Sequence, residues 1–143
     1  NTALIAAQRV DSDGAVFVFD FDGDTWNESK KLTPSAGTDE GVFGTEVQIS
    51  GNNVAVTRAN INNNSNSGTV YLYERLGSTW PEKSKIVALD MKSSDNFGGS
   101  TFIFGDTLLV GSSGTDFHGT NSGAANIYKL SEFSDLIYRH GFE

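Results

Sequence analysis

Hydrophobic residues along this chain come in short alternating runs, each stopped by a cluster of Gly, Asn, Asp or Ser. Ala3–Ala6, Ala15–Asp20, Phe43–Ser50, Val54–Thr57, Thr69–Glu74, Phe97–Phe104, Leu108–Gly111 and Ala124–Lys129 are such runs. Thr25–Leu32 and Thr79–Val87 are two more, each with a Trp near its start. Runs of about four to eight residues rich in Val, Ile, Phe, Tyr and Thr, bounded by turn formers, predict strands joined by hairpins. A 3.6-residue period never persists over about ten residues, so little or no helix is expected.

The runs repeat. Trp26 and Trp80 stand 54 residues apart, as do Phe43-Gly44 and Phe97-Gly98, Gly51 and Gly105, and Gly14 and Gly68. A fixed period near this length marks a solenoid, propeller or array. Four short antiparallel strands per repeat predict a β-propeller blade. The expected fold is therefore all-β: a partial β-propeller with one complete four-stranded blade flanked by two incomplete ones. The divisions expected are 1–42, 43–96 and 97–130, with 131–143 as a tail or closing strand. The polar stretches between runs, Asp11–Gly14, Asn60–Gly68 and Gly114–Gly123, differ in length while the strands keep register, as surface loops do. Fewer than three full blades close no ring, so the blades either belong to a longer propeller or are completed by other copies. The chain opens at Asn1-Thr2-Ala3 inside the pattern, and the natural start is expected upstream.

Composition narrows the partners. A formal charge of −8 on 143 residues, with a pI near 4.6, argues against nucleic acid and anionic membrane surfaces, both of which need clustered Lys and Arg. No apolar run reaches the roughly 18 residues of a membrane span, so no membrane insertion is expected. With no Cys, disulfides and thiolate chemistry are excluded.

Several stretches offer chemistry. Asp20, Asp22 and Asp24 alternate, which places them on one face of an extended segment where calcium could gather them. The preferred reading is a hairpin turn, because Asp and Gly favour turn conformations and the matched Glu74-Arg75-Leu76-Gly77-Ser78 loses the other acids. Asn60, Asn62, Asn63, Asn64 and Asn66 could hydrogen-bond a glycan or protein partner, as could Asp116, His118 and Asn121 in the later loop; the alternative is plain flexible connection. Asn27-Glu28-Ser29 and Asn63-Asn64-Ser65 fit the glycosylation pattern. His118 and His140 are the two imidazoles, and nothing sets either beside a nucleophile or in zinc spacing. Phe17, Phe19, Tyr71 and Tyr73 alternate along strands and read as packing residues. Trp26 and Trp80 are expected to pack against a neighbouring sheet, and Phe43 and Phe97 where sheets meet, with Gly44 and Gly98 allowing close approach.

At these residues the chain resembles the FG-GAP repeat, the unit of the integrin alpha-subunit propeller and of secreted bacterial proteins. The likeness rests on Phe43-Gly44, Phe97-Gly98, Leu109-Val110-Gly111-Ser112, and Asn121-Ser122-Gly123 leading into a strand. Trp26 with Lys31-Leu32-Thr33, and Trp80 with Lys85-Ile86, are similar to the outer strand of bacterial versions. The chain departs from the family at the Gly-Ala-Pro positions, which read Thr57-Arg58-Ala59 and Gly111-Ser112-Ser113. Calcium-binding members carry an Asp-rich loop between the first two strands. Ser50–Asn53 and Phe104–Thr107 are too short to supply the roughly six to eight oxygens calcium takes. No cofactor is therefore expected, with calcium at Asp20, Asp22 and Asp24 as the alternative. The closing Ile137–Glu143 resembles the terminal heptapeptide of some secreted bacterial proteins.

The resemblance implies an extracellular or cell-surface module, bacterial in type, that binds a protein or glycan through its loops and is not an enzyme. One alternative is a structural subunit that pairs with copies of itself through open blade edges, as a closed oligomer or a fibre. A fragment of a propeller hydrolase is another.

Overall fold

The computed structural model describes residues 1–35, 41–59, 68–87, 95–116 and 118–134. It is built of ten strands: β1 (Thr2–Ala7), β2 (Ala15–Phe21), β3 (Trp26–Leu32), β4 (Val42–Ser50), β5 (Asn53–Ala59), β6 (Thr69–Glu74), β7 (Glu82–Val87), β8 (Phe97–Phe104), β9 (Thr107–Ser112) and β10 (Ala124–Lys129). They pair antiparallel into three sheets, β1-β2-β3, β4-β5-β6-β7 and β8-β9-β10. The three–four–three count of strands is the one the alternation predicts. The one helical element among the described residues is a 3-10 turn, Leu130–Ser134. That turn lies at the start of the stretch expected as a tail or closing strand, 131–143, of which residues 135–143 lie outside the described residues.

The middle sheet is buried on both faces because its strands alternate two apolar sets rather than one. Val54, Val56, Tyr71 and Tyr73 face the first sheet and meet Val16, Val18 and Leu32 in one core. Ala55, Val70, Leu72 and Ile86 face the third sheet and meet Phe97, Ile103, Leu108 and Val110 in a second. Strand period two assigns alternate residues to opposite faces, so the near-continuous hydrophobic runs of β5 and β6 are what a doubly covered sheet requires. Neither core joins the first sheet to the third, so the described residues form a stack rather than a closed ring.

Phe43 and Phe97 occupy matching places. Each is fully or almost fully buried where its sheet meets the preceding one, and each is followed by a break in register, between Phe43 and Glu46 and between Phe97 and Ser100. Gly44 and Gly98 sit in these bulges at φ +87° and +77°. A Cβ on Gly44 would come 3.2 Å from the Ala6 side chain, and one on Gly98 2.7 Å from Thr57 Cγ2. Phe-Gly is therefore a packing device: the ring fills the core and the glycine lets the bulge press onto the sheet before it.

The two Trp residues separate. Trp80 is 4% exposed and lies in the first core. Trp26 is 49% exposed, which corrects the expectation that both pack on a neighbouring sheet. They hold equivalent positions all the same. Trp26 rests on Phe21 at 5.2 Å between ring centroids, and Trp80 lies 5.4 Å from the Arg75 guanidinium. Phe21 and Trp26 share the face of the first sheet that points away from the second, and no sheet among the described residues covers it.

Candidate binding edge

In each sheet the second and third strands of the repeat, β1–β2, β5–β6 and β9–β10, are joined at one edge. The Phe43 N–H donates to the Asp13 carbonyl at 2.8 Å, which sets the first of these loops beside the start of β4. The second connection holds Asn60, Asn62, Asn63, Asn64 and Asn66, all outside the described residues.

The third loop, 113–123, is described except for residue 117 and brings three predicted residues together. Asp116 accepts the Asn121 N–H at 2.7 Å. Asn121 stands at φ +53°, a left-handed position that Asn tolerates. The Ser122 hydroxyl accepts the His118 N–H and donates to the Thr115 carbonyl, both at 3.2 Å. Thr115 is buried and donates to the Ser112 carbonyl, while Asp116, His118 and Asn121 are exposed. The Asn96 amide donates to Ser113 Oγ at 3.0 Å, anchoring the loop to the entry of β8. The result is a polar tip on a fixed foot, with a carboxylate, an imidazole and an amide turned to solvent.

Across the same edge Arg58 approaches Asp13 of the preceding sheet at 3.6 Å. Arg58 is 6% exposed, and its Nε finds no acceptor among the described residues. Neither residue was singled out by sequence reasoning. The signal was a lone Arg in an otherwise apolar or small-residue strand.

The three alternating aspartates lie at the opposite edge and do not converge. Asp20 accepts two hydrogen bonds from Arg75, at 2.9 and 2.8 Å, and one from Thr2 Oγ1 at 2.7 Å. The Arg75 hydrogen bonds, then that from Thr2, hold its carboxyl below the usual carboxylate range. Asp22 instead folds onto its own turn, accepting the Thr25 and Asp24 N–H groups at 2.9 Å each and the Asn27 amide at 2.8 Å. Those backbone donors, Thr25 first, bring its pKa down to about 2. The Asp20 and Asp22 oxygens accept these hydrogen bonds from donors of the chain itself. The Asn27 amide of the Asn-Glu-Ser pattern is engaged in the same turn. Among the described residues no group of three or more His, Cys, Asp or Glu is placed to hold a metal ion.

Three antiparallel sheets whose matched residues make matched contacts define a β-repeat array. The family model of the FG-GAP repeat fits residues 26–73 and again residues 80–128, more than half of the chain, and the chain belongs to that family. No curated protein and no solved structure matches it. Each matched stretch takes the last strand of one sheet and the first three of the next: β3 with β4–β6, then β7 with β8–β10. The sequence unit and the sheet are one strand out of phase.

Proposed function

We infer that this chain is a non-enzymatic β-propeller module that binds a protein or glycan partner outside the cell, through loops on the edge that carries residues 113–123. The observation that carries the reading is the contrast between frame and loop. The middle sheet commits both its faces to the two cores, whereas Asp116, His118 and Asn121 are exposed on a loop whose own hydrogen bonds fix its backbone. Such a tip offers donors and acceptors to a polar partner with little ordering cost on binding. Family membership supports the extracellular setting, and no helix among the described residues is long and apolar enough to cross a membrane.

The test is a screen of the labelled chain against protein and glycan arrays, followed by titration of each hit. Asp116→Ala with His118→Ala should weaken a true hit at least tenfold while the far-UV spectrum stays unchanged. Hits insensitive to both this pair and a shortening of Asn60–Asn66 would sink the loop reading.

A further inference from the structure

One position of the repeat carries a residue that the fold does not ask for. Ala7 pairs with Ala15 across its ladder, Arg58 with Thr69 and Ser112 with Ala124, and Ala15, Thr69 and Ala124 each follow a loop glycine. Two sheets thus put a small side chain here, and the middle sheet puts a long cation. The same residue is the middle one of Thr57-Arg58-Ala59, where the chain departs from the Gly-Ala-Pro of its family. Strand alternation from Val54 and Val56 points the Arg58 side chain toward the first sheet, so it lies between two described sheets.

The guanidinium is buried there without a close counterion. The Arg58 side chain is 7% exposed, and its Nε meets no acceptor among the described residues. Its ion partner among them is Asp13, 3.6 Å away and 67% exposed. Arg75 shows a committed pair in the same stack, with two guanidinium nitrogens on the two oxygens of Asp20. Asp13 is kept from closing up in that way because its backbone is held on both sides. Its carbonyl accepts the Phe43 N–H at 2.8 Å, and the next N–H, that of Gly14, donates to the Val10 carbonyl at 2.8 Å. Asp11 and Ser12 stand at φ +53° and +71°, two successive left-handed residues that are not glycine. Strain of this kind clusters at ligand clamps. A guanidinium is a planar fork of N–H donors, and burying it poorly paired is costly. The group that satisfies the fork best is a carboxylate taken bidentate.

We propose that Arg58 is the receptor for a glutamate side chain of a protein partner, whose carboxylate takes the guanidinium over from Asp13. This rests on the loop-edge reading above and names the group that the partner inserts. Depth selects the source of the carboxylate. A glutamate carries it on a flexible stem that reaches a recessed fork, whereas an acidic sugar carries it directly on a ring too broad to follow. Asp13 is the resident carboxylate that attends the fork until the partner arrives, and its exposure makes release to water cheap.

An array of synthetic peptides tests this, each with one Glu in a neutral sequence and each paired with its Gln twin. Titrated onto the full chain, Glu peptides should bind, and their Gln twins should bind roughly tenfold or more weakly. Arg58→Ser installs the residue type found at the equivalent position 112, so the far-UV spectrum should hold while the difference between twins disappears. Asp13→Asn removes the resident competitor and should tighten the Glu peptides, a gain that an ion pair serving only to brace the loop would not give. Twins that bind alike, a Glu preference that survives Arg58→Ser, or weaker binding in Asp13→Asn would overturn the proposal. An array with no binder, or a polyuronate bound in place of the peptides, would overturn it as well. Peptides lost in Asp116→Ala with His118→Ala but kept in Arg58→Ser would overturn it and leave the loop reading standing. Peptides indifferent to all of these variants would remove both.

Discussion

Arg75 and Asp20 bind one sheet to the next: two guanidinium nitrogens meet two carboxylate oxygens at 2.9 and 2.8 Å, with the guanidinium 5.4 Å from the Trp80 ring. Both side chains keep a little under a third of their surface exposed, so the pair is neither fully screened nor fully desolvated. Replacing Arg75 by Met should cost about 1–2 kcal/mol, the range for a charge-assisted, partly exposed pair. A cycle with Asp20→Asn, read by urea unfolding, should return a coupling of about 1 kcal/mol.

The acid limb of stability should depend on Asp20 and Asp22, with Asp106, held low by the Ser131 hydroxyl, adding to it. Asp20 and Asp22 are both depressed, Asp22 to about 2 from its ordinary 3.8. Below that ordinary value the unfolded chain binds more protons than the folded one, so stability rises with pH through this window and is complete above it. As pH falls from about 4 toward 2 the melting temperature should drop. Asp22→Asn should flatten that slope, and an unchanged slope in both Asp20→Asn and Asp22→Asn would refute the assignment.

Gly98→Ala should destabilise by about 3 kcal/mol, combining a left-handed backbone with a methyl forced onto Thr57. Gly105→Ala is the control. Its φ is +55° but a Cβ there meets nothing within 4 Å, so only the backbone cost of about 1 kcal/mol should appear in denaturant titrations.

Tyr73 donates to the Thr33 carbonyl at 2.9 Å from inside the first core. Burial, reinforced by the Glu82 charge, raises its phenol well above the ordinary value. Tyr73→Phe should therefore cost about 1 kcal/mol in unfolding free energy, read by urea titration.

The strands were legible because alternation and turn clusters are local: a run such as Thr69–Glu74 carries its own ends. Phe-Gly was legible because it recurs at one spacing. Arg75 with Asp20 was not, since the pair exists only once two sheets are stacked and its residues lie 55 apart in the chain. Trp26 misled for the same reason. Its sequence surroundings match those of Trp80, and only the absence of a covering sheet among the described residues sets them apart. In the loop, Asp116 and Asn121 were named for their chemistry; that they hold one another followed from a left-handed backbone that composition does not announce.

The one-strand offset between family unit and sheet acts like overlapping brickwork. Swapping units at the borders of the sequence match, at Trp26 or Trp80, would part an outer ribbon from the one neighbour it hydrogen-bonds to, β3 from β2 or β7 from β6. Modules of this chain are exchangeable only at cuts just ahead of Phe43 or Phe97.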